Sequence, residues 1–154
     1  MFVLAHLTDP HLPTPRGAPA MAFANKRLMG LMSWRLRRRH IHRPEVLAAL
    51  VRDLHASHPD HIVVTGDIVN IALPGEFEAA AAWLRALGSA ESVSVVPGNH
   101  DAYVRVGAAS SLVRWDAYMR GDGAAPANSF PFLRRRNGVA LIGLTTAEPS
   151  PPGM

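Results

Sequence analysis

Three short stretches carry the polar chemistry of this chain. "TDPH" (residues 8–11), "TGD" (65–67) and "PGNHD" (97–101) each close an apolar run. Asp9, His11, Asp67 and Asn99 together offer two carboxylates, an imidazole and an amide oxygen, a donor set for a divalent cation. A carboxylate in such a set can bridge two cations about 3.5–4 Å apart, the arrangement used in phosphoryl chemistry. The adjacent imidazole of His100 suits charge stabilisation or protonation of a leaving oxygen. The chain has no cysteine, so disulfides and thiolate sites are excluded. Any metal must be held by nitrogen and oxygen, which favours hard or borderline cations.

For these groups to meet, the runs before them must be neighbouring strands. Residues 2–7 ("FVLAHL"), 61–67 ("HIVVTGD") and 92–96 ("SVSVV") read as three short buried strands. Between them lie helix signals. Pro44 suits a first helical turn, and Val46, Leu47, Leu50, Val51 and Leu54 follow as an apolar stripe ending near Ser57. Pro74 opens another helix, with Glu76 and Glu78 at its positive end, Phe77, Ala81 and Leu84 on one face, and Gly88 as its stop. Alternating strands and helices at this spacing predict a parallel α/β sheet. The crevice of such a sheet lies at the carboxyl ends of its strands, where all three polar stretches fall. Strands about 5 Å apart let the side chains reach one volume. Asp9 and His11, two apart, would point the same way from an extended backbone.

The flanking segments read less regularly. Residues 12–20 read as a loop, and a short basic helix is expected within 22–39. A helix over 108–120 would carry Leu112, Trp115 and Met119. "FPFLRRR" and "VALIGL", separated by Asn137-Gly138, read as a hairpin. The tail "EPSPPGM" reads as irregular. The 154 residues form one domain or part of a larger one. An apolar content of 48% with 18% charged residues argues against disorder. The start "MFVLAHLTD" lacks a basic leader region, no apolar run approaches a membrane span, and a cytoplasmic location is expected.

"D-P-H" at 9–11, "G-D" at 66–67 and "G-N-H-D" at 98–101 resemble, in order and each at a strand end, the first three motifs of the calcineurin-like metallophosphoesterases. The nearest subgroup is the bacterial enzymes similar to cyclic-nucleotide phosphodiesterases. The resemblance covers about residues 2–145 and implies an αββα sandwich. It implies two divalent or trivalent metal ions, Mn, Fe or Zn, and hydrolysis of a phosphomono- or phosphodiester by a metal-bound hydroxide. Asp9 and His11 would bind the first metal, Asp67 would bridge, and Asn99 would bind the second. His100 would face the phosphate and assist the leaving group, with Asp101 orienting it. The family pattern continues with a lone His and a Gly-His-x-His pair, whereas the last histidine here is His100. The expectation is therefore the N-terminal part of such a domain, from a truncated or interrupted reading frame. The first, mainly parallel sheet would be present and most of the second missing. The alternative is a non-catalytic remnant, or a module completed by another chain.

Other residues take plainer readings. His6 is expected in the core or behind the metal ligands, and His55, His58 and His61 at the surface. Asn70 is expected to shape the loop below the metals, without a ligand role. "RRR" at 134–136 reads as an exposed edge whose charges block pairing. Between Asp9 and Glu45 lie eight basic residues and no acidic one. The run "RLRRRHIHR" (35–43) within that stretch admits a solvated helix face, a phosphate-attracting wall or contact with an anionic surface. Leu28, Met29, Leu31, Met32 and Trp34 on the same helix favour an amphipathic surface element. A nucleic-acid partner rests on this segment alone and is not expected; the partner implied by the resemblance is a phosphate-ester substrate.

Overall fold

Short β-rich runs and Pro-initiated helices alternate from the first residues onward. The computed structural model describes residues 1–14, 22, 27–34, 36, 41–104, 111–123 and 129–148. Strands β1 (Leu4–Thr8), β2 (His61–Thr65) and β3 (Val93–Val96) form a parallel sheet in the order β1-β2-β3. Helix α1 (Arg27–Ser33) and helix α2 (Pro44–Ala56) lie between β1 and β2, and helix α3 (Pro74–Leu87) between β2 and β3. Strands β4 (Phe132–Arg136) and β5 (Val139–Gly143) form a separate antiparallel pair. The expected α/β architecture, with a parallel sheet and a small second sheet, is present.

The register explains the core. Leu7, Val64 and Val95 stand side by side across the sheet, with Ala5, Ile62 and Val93 in the next row. Except for Ala5, which packs against the edge of the core, these side chains are buried in one cluster with Phe77, Leu84, Trp115 and Met119. Period-2 alternation gives β2 this apolar face, and the Phe77/Leu84 stripe of α3 covers it. Trp115 is fully buried, lies 5.3 Å from the Phe77 ring and donates its indole N–H to Phe77 O at 3.1 Å. On the opposite face, residues of all three strands and Phe132, Leu141, Ile142 and Leu144 line an open groove of about 450 Å³.

Several expectations change here. Residues 112–119 form a 3₁₀ helix rather than an α-helix; residues 108–110 of the expected span lie outside the described residues. Of the basic helix expected within 22–39, α1 is described, while most of 35–40, most of the 12–20 loop and the end of the tail lie outside. His61 is fully buried, its Nε2 2.8 Å from Ser94 Oγ, at the end of the groove face that Arg134 approaches. His6 is the reverse: it is exposed on the groove side, with Nε2 2.7 Å from Thr65 Oγ1.

"RRR" is not a uniform exposed edge either. Arg134 is buried and donates to the carbonyls of Ala90 and Arg120 at 2.6 Å, Val93 at 2.8 Å and Ala117 at 3.0 Å. Its planar fork of donors suits a crossing where carbonyls of two chain segments, 90–93 and 117–120, come together. Arg136 pairs with Asp122, and Arg135 is exposed. The hairpin turn is as expected: Asn137 and Gly138 both have positive φ, 47° and 80°, which a type I′ turn requires.

Candidate metal centre

The carboxyl ends of β1 and β2 are laced together by backbone bonds from His11 N to Asp67 O (3.0 Å) and Leu12 N to Ile68 O (2.9 Å). This pairing sets three side chains against one point. Asp9, His11 and Asp67 each present a ligand atom within 4.8 Å of the other two. His11 Nε2 lies 3.9 Å from Asp9 Oδ1 and 3.9 Å from Asp67 Oδ2. That is too long for a hydrogen bond. It fits two ligands of one cation, since metal–ligand bonds of about 2.0–2.2 Å set donors about 3–4 Å apart. Two carboxylates and an imidazole, without sulfur, suit a hard or borderline cation.

The way these residues converge differs from the sequence expectation. Asp9, His11 and Asp67 have φ of 52°, 39° and 52°. Asp9 and His11 therefore share a direction through a tight left-handed turn rather than through extended backbone. Three non-glycine residues in that region concentrate strain at the site. Glycines supply the room. A Cβ on Gly98 would lie 2.3 Å from Asp67 Oδ1, and one on Gly66 would lie 2.9 Å from Gly98 Cα. The ends of β2 and β3 thus touch backbone to backbone.

The third stretch closes over the second. Asp67 Oδ1 accepts the His100 N–H at 2.9 Å, leaving Oδ2 toward His11. His100 Nδ1 is 2.5 Å from Asn70 O. A carbonyl can only accept, so Nδ1 carries the hydrogen of this bond. Tyr103 stacks on His100 at 5.6 Å, nearly parallel, and the His11 ring stands edge-on at 5.1 Å.

Asp101 does something other than orient His100. Its Oδ1 accepts the N–H groups of Ile68 and Val69, and its Oδ2 that of Gly98. The carboxylate pins the loop after β2 to the loop after β3, and the task of holding His100 falls to the Asn70 carbonyl. Burial pushes the Asp101 carboxyl up to about 7, against the pull of the Val69 and Gly98 N–H donors, with the charge of Asp67 adding to the rise. Asn99 is exposed on the same turn and its side chain makes no hydrogen bond among the described residues.

Sequence alone assigns Glu76 and His42 no individual role at the site, and Asn70 only a loop-shaping one. Glu76, at the start of α3, is buried and accepts the N–H groups of Asn70, Ile71 and Leu73 at 3.3, 3.1 and 2.9 Å, with the Thr14 hydroxyl at 2.7 Å. It thereby fixes the loop whose carbonyl holds His100. Asn70 is buried as well and donates to Leu12 O, next to His11, which bears out its reading as a loop-shaping residue. Its position three residues past Asp67 was the only signal. His42, at the end of the basic run, packs its ring 4.3 Å from that of His11. Nothing local in the sequence announces this contact, which depends on how the chain returns from α1.

A model of the calcineurin-like phosphoesterase family matches residues 2–145. No curated protein matches the chain.

Proposed function

Because the chain belongs to the calcineurin-like phosphoesterase family, we propose that it hydrolyses a phosphomonoester or phosphodiester at the Asp9/His11/Asp67 cluster. In this reading Asp9 and His11 would hold one cation, Asp67 would be shared with a second, and Asn99 would offer its exposed amide oxygen to that second ion. Bound cations of this kind lower the pKa of coordinated water and neutralise phosphate oxygens. The chain's own residues do the rest. Asp67 divides its labour, one oxygen on the His100 backbone and the other facing His11. His100, with Nδ1–H committed to Asn70 O, turns Nε2 toward the substrate and in its imidazolium form donates that proton to the leaving oxygen. Tyr103, stacked on the ring, limits its rotation. Asp101 keeps the two loops in register.

The observation that carries this reading is the convergence of Asp9, His11 and Asp67, with the His100 backbone N–H donating to the Asp67 carboxylate. The test is turnover of aryl phosphate mono- and diesters by the purified chain with added Mn²⁺, alongside calorimetric titration with Mn²⁺. Mn²⁺-dependent turnover that disappears in Asp67→Ala is expected. Mn²⁺ binding without turnover favours the reading in which another chain completes the site. Neither binding nor turnover leaves a non-catalytic remnant.

A further inference from the structure

Helix α2 brings its N-terminal end to the metal centre. Arg43 caps it in extended backbone, with φ −93° and ψ 114°, the conformation that a following proline favours. The Arg43 carbonyl accepts the N–H groups of Val46 and Leu47 at 3.1 and 3.2 Å, and its guanidinium pairs with Glu45. Further along the helix Leu54 is buried in the core, with Leu47 and Val51 packed against it. The start of α2 is therefore placed by the core. The residue just before its cap is His42.

His42 uses that place on His11. The two ring centroids lie 4.3 Å apart with the planes tilted by 52°, closer than the about 4.5–7 Å usual for aromatic pairs. His11 is buried and His42 half-buried, so His42 covers a ring that would otherwise be wetter. The His100 ring meets the same imidazole edge-on at 5.1 Å. The bond from His11 N to Asp67 O fixes the His11 backbone and leaves the angle of its ring to these neighbours. That angle matters, because Nε2 has to face Asp9 Oδ1 and Asp67 Oδ2 at once, 3.9 Å from each.

We propose that His42 is a positioning residue of the metal centre: packed on the His11 ring, it holds Nε2 toward Asp9 and Asp67. Packing is favoured over direct ligation by the geometry. Asp9, His11 and Asp67 bring ligand atoms within 4.8 Å of one another, and His42 does not join that group. A ring oriented beforehand loses little rotamer freedom when a cation arrives. Holding His11 for a cation rests on the proposed function; holding its ring in the empty protein does not.

The test uses the full chain, first without metal. Nuclear Overhauser contacts are expected between the ring protons of His11 and His42, and between those of His11 and His100. In His42→Ala the His11–His100 contacts should weaken. His42→Phe, which keeps a flat ring and removes both nitrogens, should restore them. Calorimetric titration should then show Mn²⁺ affinity falling about 10–100-fold in His42→Ala and staying within about threefold of wild type in His42→Phe. His55→Ala, at an exposed position in the last turn of α2, controls for the helix and should change neither readout. At saturating Mn²⁺ the kcat of His42→Ala for aryl phosphates should return to within about threefold of wild type, because the loss lies in cation binding. Wild-type Mn²⁺ affinity in His42→Ala overturns the proposal, as does the absence of His11–His42 contacts in the wild-type chain. Equal losses in His42→Ala and His42→Phe overturn it too, since the nitrogens and not the packing would then be at work. A kcat that stays low at saturating Mn²⁺ does the same by placing His42 on the substrate. A wild-type chain that binds no Mn²⁺ sinks the metal reading of the site, and the loss of ring contacts in His42→Ala with their return in His42→Phe then decides the positioning role alone.

Discussion

Replacing Gly98 by alanine sets one methyl group against the centre of the site. The added Cβ would lie 2.3 Å from Asp67 Oδ1, 2.6 Å from Asp67 N and 2.9 Å from Gly66 Cα, where ordinary contact begins at 3.4 Å. Two of these neighbours are backbone. The Asp67 carbonyl is held by His11 N, and Gly66 N donates to Val96 O at 2.8 Å. The element free to yield is the Asp67 carboxylate, which must retreat by about 1 Å in a close-packed surround. That movement also breaks the bond from His100 N to Oδ1. A misplacement of this size costs about 100-fold in turnover. Loss of a supporting contact to a metal ligand lowers affinity about 10–100-fold. The assay is titration with Mn²⁺ beside aryl phosphate kinetics, with Gly123→Ala as control. Gly123 has a φ of 95° but no atom within 4 Å of a Cβ, so its alanine variant bears only backbone strain of about 1 kcal/mol. A folded Gly98→Ala protein with wild-type Mn²⁺ affinity and turnover would refute the assignment of Asp67 to the centre of the site.

Glu76→Ala removes the acceptor of three buried or part-buried N–H groups and should destabilise by about 2–4 kcal/mol in urea melts. Because Asn70 O holds His100, kcat should fall more than KM rises, and an unchanged kcat in the folded variant would contradict that link. Arg134→Met strands four carbonyls and should cost about 3–5 kcal/mol, whereas the exposed Arg135→Met should stay within about 0.5 kcal/mol of wild type; equal effects would contradict the assigned contacts. His61 has its pKa lowered from 6.5 to about 4 by burial first, then by Arg134 and Arg136, with Asp122 opposing. Below pH 6.5 the unfolded chain binds a proton that the folded chain refuses, so stability is full above pH 6.5 and declines toward pH 4. The total is about 3 kcal/mol. His61→Gln should flatten that part of the urea-melt pH profile, and an unaltered slope would count against the lowered pKa.

The parallel sheet was legible because each strand is an apolar run closed by polar residues, and each long helix begins at a proline. The metal-binding set was legible because its members sit at strand ends, where a parallel sheet must gather them. What escaped the sequence was the partner of each polar group. Asp101 stands beside His100 in the chain, yet its carboxylate is drawn to backbone N–H groups of the loop 68–69, which must be satisfied once buried. Arg134 looks like surface charge until two other chain segments, 90–93 and 117–120, bring carbonyls to it. His61 and His6 lie on the same face of the sheet and exchange roles because that face is closed near Arg134 at the His61 end and open at the groove, which alternation along a strand does not state. His42 and Glu76 act across the fold, and no local pattern encodes that reach.

The left-handed backbone at Asp9, His11 and Asp67 sets folding against chemistry at the same three positions. Glycine would relieve about 1 kcal/mol at each while deleting a candidate ligand, so the most stable version of this backbone is one that binds no metal. Selection for thermal resilience alone, in a library built on this chain, would therefore be drawn to these three codons and would enrich inert proteins. Screens on it should demand metal retention alongside stability.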